Sequence, residues 1–120
     1  MKNQSEQGRA SRQRGKRGER ELAGALTRLF HTHCHRSQQF SGADGDSDVV
    51  GLTGISVECK RVEKLSIHKA INKAVEDSKE HEIPVVCHRK DGEPWLFTAR
   101  LEDMPAIAEK LYQILHEQAE

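Results

Sequence analysis

Two spacings of apolar residues alternate along this chain. Leu22, Ala25, Leu26, Leu29 and Phe30 fall at i, i+3, i+4, i+7 and i+8, the stripe of an amphipathic helix over about residues 17–30. At about 100° per residue, Glu19 lies near the edge of that stripe and turns inward, Arg20 lies opposite and faces solvent or a ligand, and Glu21 stays outside. Residues 31–40 are expected to hold a short strand, and 41–47 form a loop of Gly, Asp and Ser. Asp48-Val49-Val50 reads as a strand and Leu52-Thr53-Gly54 as a turn. Over 55–61 the period drops to two: Ile55, Val57 and Cys59 face the core, and Ser56, Glu58 and Lys60 face the other way. Ser66 can cap a second helix, with Ile67, Ala70, Ile71, Ala74, Val75 and Ser78 as its stripe. Residues 84–90 read as a strand, Asp91-Gly92 as a tight turn and 94–98 as the returning strand. Asp103 can cap a last helix striped by Ile107, Ala108, Leu111, Ile114 and Leu115. The order is helix, three strands, helix, two strands, helix, which suits an α/β protein with a mixed sheet flanked by helices.

Composition narrows this to one domain. The 120 residues are 35% hydrophobic and 32% charged, enough for one thin core under a large polar surface. A partner subunit often completes such a core, so a homodimer is expected. Net charge is zero but unevenly spread. Residues 1–20 carry Lys2, Arg9, Arg12, Arg14, Lys16, Arg17 and Arg20 against Glu6 and Glu19. Residues 101–120 carry Glu102, Asp103, Glu109, Glu117 and Glu120 against Lys110. Residues 1–14, with almost no apolar side chains, read as a disordered basic arm that meets nucleic acid, since each cation on a phosphate releases counterions. Residues 15–120 form the domain. Cys34, Cys59 and Cys87 are odd in number and widely spaced, and the sequence has no apolar signal segment, so a reducing, cytoplasmic setting without membrane is expected.

The chemistry concentrates on the middle hairpin. Glu58-Cys59-Lys60 puts a carboxylate and an ammonium on one face of one strand. If the hairpin is centred on Thr53, Asp48 pairs directly with Glu58, bringing their Cβ atoms to about 4.5–5.5 Å. Two carboxylates so close repel unless a cation lies between them. Hard oxygen ligands with open positions suit Mg²⁺, with Mn²⁺ able to substitute. Such a metal lowers the pKa of a bound water and polarises a phosphoryl oxygen. Lys60 can orient that water and offset the charge building on the phosphate. The competing reading is an exposed hairpin with a surface ion pair between Glu58 and Lys60. An E-x-K triplet alone favours that, but the aspartate ten residues upstream, on a strand whose other face is apolar, favours the site.

Gly18-Glu19-Arg20-Glu21-Leu22, Ser47-Asp48-Val49-Val50 and Val57-Glu58-Cys59-Lys60 together resemble the PD-(D/E)xK nuclease superfamily. Within it they are most similar to the archaeal-type Holliday junction resolvases and their phage relatives, over about residues 15–100. The resemblance implies a restriction-endonuclease-like fold. It implies Asp48 and Glu58 as metal ligands, Lys60 as the catalytic lysine, and Glu19 as the third member of the acidic cluster and a further catalytic and metal-binding residue. Arg20 and Arg36 match basic positions that contact DNA in such resolvases. The family also has a serine in the loop before the aspartate, for which Ser37, Ser41 and Ser47 are all candidates. The expected DNA-contacting set is Lys16, Arg17, Arg20, Arg36, Ser41, Arg61, Lys69 and Lys73. Ser47 stands where many members of the wider superfamily carry proline, and Asp44 and Asp46 make the loop more acidic than a DNA-facing loop should be.

The expected function is therefore a Mg²⁺-dependent endodeoxyribonuclease resolving four-way DNA junctions as a homodimer, without an organic cofactor. A less selective repair or restriction-type nuclease acting on duplex DNA is the nearest alternative, and a non-catalytic DNA-binding module the next. Other signals have blander readings. His31, His33, Cys34 and His35 are too tightly spaced for a tetrahedral zinc site on one element and read as a helix end running into a strand. Trp95 and Phe97 alternate on the returning strand but lack interleaved cations, so core or dimer packing explains them better than base stacking. Lys64, Lys69 and Lys73 suit a phosphate track and a solvated helix face equally.

Overall fold

A computed structural model describes residues 4–37 and 47–117, with side chains at 13 and from 15 onward. Ser41, Asp44 and Asp46 lie outside the described residues. The element order is α1 (Gln4–Phe30), β1 (His35–Arg36), β2 (Val49–Val50), β3 (Ile55–Arg61), α2 (Ile67–Asp77), β4 (Ile83–Arg89), β5 (Leu96–Thr98) and α3 (Met104–Glu117), with a short 3₁₀ turn, Leu101–Asp103, before α3. It follows the order expected from the periodicities.

The strands form one mixed sheet in the order β1-β2-β3-β4-β5. β1, β2 and β3 are successively antiparallel, β3 and β4 are parallel, and β4 and β5 are antiparallel. The parallel pair needs a crossover, and α2 supplies it. α1 and α3 supply Leu22, Leu26, Ile107 and Ile114 to a core with Val49, Leu52, Ile55, Val57, Val85 and Cys87. Ala70, Ile71 and Ala74 of α2 close over Val86 in a second cluster. Each fully buried Leu, Ile or Val contributes roughly 1.5–3 kcal/mol relative to exposure.

Several elements differ from expectation. α1 starts at Gln4, not near residue 17, so the backbone of 4–14 extends the helix where a disordered arm was expected. Gln, Glu, Arg and Ala are good helix formers, and lengthening an existing helix costs far less than starting one. α1 stops at Phe30 because His31 turns left-handed, with φ 53°. The stripe holds at Leu22 and Leu26, but Leu29 is 67% exposed. Ser66 occupies the N-cap of α2 without a side-chain cap hydrogen bond. Asp103 belongs to the 3₁₀ turn and accepts from Arg100 Nε at 2.9 Å. In α3, Ala108 and Leu115 are exposed. Ser56, expected to face away from the core, is fully buried because the second face of β3 is also covered.

Gly51 shapes the β2–β3 connection. Its φ is +130°, and a Cβ there would lie 2.4 Å from the His33 carbonyl oxygen. Only glycine fits this approach of the turn to the segment leading into β1.

Candidate active site

Val49 pairs with Val57, the register that a hairpin centred on Thr53 predicts. Asp48 itself lies just outside the strand. Its N–H donates to the Val57 carbonyl at 2.9 Å, one residue short of the register, while its carbonyl accepts from Ser37 N–H at 3.0 Å. Asp48 Oδ2 accepts from the Cys59 N–H at 2.8 Å. The aspartate is therefore pinned by backbone on both sides. Just before it, the buried Ser47 and Ser56 hydroxyls bond at 2.8 Å. That bond consumes Ser47, so of the three loop-serine candidates Ser47 is corrected to an internal anchor.

Glu58 has one carboxylate oxygen, Oε1, buried without a hydrogen-bond partner. Burial, then the charge and hydrogen bond of Asp48, then the charge of Asp77 push its pKa up from 4.5 to about 8, against a smaller opposite pull from Lys60. The Glu58 and Asp48 carboxyls thus lie within hydrogen-bonding reach of each other. Lys60 is exposed, two residues along the strand and opposite His88. Beside it opens a groove of about 440 Å³ lined by Gly15, Cys59, Lys60, Arg61, Val62, Glu63 and Asp91.

α1 brings Glu19 to the same end of the sheet because Gly18 lets the helix approach β3. A Cβ at Gly18 would meet Arg61 Cβ at 3.1 Å. Burial raises the pKa of Glu19, partly offset by its bond to Arg36, and the charge of Asp48 raises it further. Arg36 Nε donates to Glu19 Oε2 at 2.9 Å. Glu19 is therefore close enough to Asp48 to feel its charge, yet its carboxylate is engaged by Arg36. Cys59 sits among these acids. Burial first, then Asp48, Glu19 and Glu21, hold its thiol protonated well above the usual range. Among the described residues, no group of three or more His, Cys, Asp or Glu is arranged around a common metal position.

The basic residues divide. Lys16, Arg17, Arg20, Lys69 and Lys73 are exposed, and Lys73 bonds Asp77 at 3.3 Å along α2. Arg61 lies against α1, 3.6 Å from Glu21 and 2.9 Å from Asp91, and also lines the groove beside Lys60. Glu21, expected outside, is corrected, because it also bonds Arg89 and so faces the sheet. Sequence reasoning missed Glu21, Arg89 and Asp77, since no local spacing reports a contact between α1 and β4 or the charge of Asp77 acting on Glu58. Cys87 is core as expected, and Trp95 packs against the core while Phe97 is 40% exposed.

No protein-family model and no curated protein matches the sequence. Among the described residues, no helix is long and apolar enough to cross a membrane.

Proposed function

We propose that the protein is a metal-dependent DNA endonuclease with a restriction-endonuclease-like fold, resolving four-way junctions by paired phosphodiester hydrolysis. The observation that carries this reading is the buried, partnerless Oε1 of Glu58 held against Asp48. Such an oxygen costs on the order of 1–3 kcal/mol unless a proton or a cation satisfies it. Two adjacent carboxylates with a lysine two residues along the strand fit a hard divalent cation, so the donor set passes the chemical test for Mg²⁺ or Mn²⁺. When bound, the metal supplies a water of lowered pKa and polarises the phosphoryl oxygen.

The remaining work falls to the chain. Asp48 and Glu58 would hold the cation, Asp48 being fixed by the Cys59 N–H. Glu19, held by Arg36 in this structure, would join the acidic set from α1 on leaving it. Lys60, exposed beside the pair, orients the attacking water and offsets charge on the phosphate. Lys16, Arg17 and Arg20 on α1 and Lys69 on α2 are exposed cations suited to backbone phosphates.

A homodimer completes this reading. β5 is an edge strand with Leu96 and Phe97 exposed. Next to it an apolar hollow of about 230 Å³ is lined by residues that include Leu22, Leu29, Phe30, Trp95 and Leu111. Two sites related by a two-fold axis suit a junction of approximate two-fold symmetry.

The test mixes the protein with Mg²⁺ and two end-labelled DNAs, a four-way junction and a linear duplex of the same arm sequence. Symmetric nicks near the branch, with the linear duplex intact, are expected. Equal cutting of both would make it a less selective nuclease. Binding of both without cutting would make it a non-catalytic module.

A further inference from the structure

The crossover helix α2 ends on a carboxylate that the proposed chemistry does not use. Ala70 and Ala74 lie on the buried stripe of this helix, and with Ile71 they close over Val86 of β4. Val86 is the register partner of Glu58. Neighbours in register point to the same side of a sheet, so α2 covers the side on which Glu58 lies. Val57 and Cys59, which alternate with Glu58, turn instead to the core under α1. Asp77 is the last residue of α2 and stands about one turn beyond Ala74. It therefore continues the face that the helix turns to the sheet. Its side chain is 23% exposed, whereas Lys73, which bonds its Oδ2 at 3.3 Å, is 68% exposed.

The charges that act on Glu58 come from two directions. Asp48 and Lys60 belong to its own hairpin, while Asp77 belongs to α2 and raises the Glu58 pKa as Asp48 does. One oxygen of Glu58, Oε1, is buried without a hydrogen-bond partner. An ion pair four residues apart along a helix accounts for the contact of Asp77 with Lys73. It does not account for an acid on the inward face, within electrostatic reach of a buried carboxylate that already faces Asp48. Like charges so placed are costly unless a cation answers them. A doubly charged cation is drawn to Asp77 about twice as strongly as a proton at the same place, so this acid favours the cation in their competition for Glu58.

We propose that Asp77 is a positioning residue of the cation site at Asp48 and Glu58, strengthening the hold on Mg²⁺ or Mn²⁺ through its charge without being a ligand. This rests on the metal-dependent reading and deepens it, because the resemblance supplies acids from α1 and the hairpin and none from α2. The helix that makes the parallel pairing of β3 and β4 possible thereby also sets the affinity of the site.

The test counts Mn²⁺ bound by the full chain without DNA, from the electron paramagnetic resonance signal of the free ion, at fixed pH and ionic strength. Asp77→Asn is expected to raise the Mn²⁺ dissociation constant on the order of tenfold, and Asp77→Glu, which keeps the charge, should stay within about twofold of wild type. In cutting assays the half-saturating Mg²⁺ concentration should rise by a like factor with Asp77→Asn, and the maximal rate should change far less. Cooperative melting in EDTA shows that each variant is folded. Equal dissociation constants for wild type and Asp77→Asn would overturn the proposal. So would an Asp77→Glu variant that binds as weakly as Asp77→Asn, since that loss belongs to packing and not to charge. If Asp48→Asn loses Mn²⁺ while Asp77→Asn holds it as wild type does, only this inference falls. If wild type takes up no Mn²⁺, the metal-dependent reading falls with it.

Discussion

Arg36 of the edge strand donates to Glu19 of the first helix across 2.9 Å, so a residue expected to meet DNA and one expected to meet metal occupy each other. The bond engages Arg36 Nε and Glu19 Oε2. On the proposed function, a cation that drew Glu19 toward Asp48 would free Arg36 Nε for a phosphate and so couple metal binding to DNA binding. Arg36→Gln should weaken DNA binding uniformly across sequences and reduce the slope of log affinity against log salt by about one. An unchanged slope in a salt titration would remove Arg36 from the interface.

The acidic pair makes the sharpest prediction about catalysis. Glu58→Gln and Asp48→Asn should each abolish Mg²⁺-dependent cutting while leaving DNA affinity equal or higher, because neither neutral amide can carry the negative charge that a carboxyl turns toward phosphates once ionised. Lys60→Ala should lower the cutting rate by roughly 10²–10³-fold. Gel assays of cutting and anisotropy of binding separate the two effects. Intact cutting by Glu58→Gln would refute the assignment.

Stability of the metal-free protein should depend on pH through Glu58. Burial, with the charge of Asp48, raises this group from 4.5 to about 8. A carboxyl raised in the folded state stabilises fully below its unfolded pKa and loses that contribution as pH rises through the folded value. The melting temperature in EDTA should therefore fall between about pH 4.5 and about pH 8. Glu58→Gln should flatten the fall and melt several degrees higher at the alkaline end, and Mg²⁺ should restore wild type there by binding the folded state. Parallel melting curves for the two proteins would show that Glu58 is not strained.

The network of Glu21 with Arg61 and Arg89 should act on stability alone. Glu21→Gln leaves two half-buried guanidiniums facing each other, one with a buried Nε already lacking a hydrogen bond. The expected cost is about 1–3 kcal/mol in denaturant unfolding, with cutting per folded molecule unchanged. A loss of cutting without a loss of stability would make these residues part of the site.

Phe97→Lys should convert a homodimer to a monomer in sedimentation without unfolding it. A charge at the centre of an apolar edge is costly to bury and harmless in water. A wild-type protein that sediments as a monomer would place the exposed Leu29, Leu96 and Phe97 outside any self-contact.

By itself the sequence determined what depends on near neighbours. The spacing of Leu22 and Leu26 marked α1, the alternation of Ile55 and Val57 marked β3, and the symmetry about Thr53 gave the register in which Val49 meets Val57. Periodicity and short-loop register are properties of a few consecutive residues, so they can be read before folding. Only the tertiary structure decided the parallel pairing of β3 with β4, the burial of Ser56 under a second layer, and the hydroxyl bond that consumes Ser47. It also turned Glu21 toward Arg89, 68 positions away, and closed Arg36 on Glu19. A charged side chain takes the partner that packing brings within reach. Which partner that is depends on how helices cross the sheet, and no local pattern of residues carries that information.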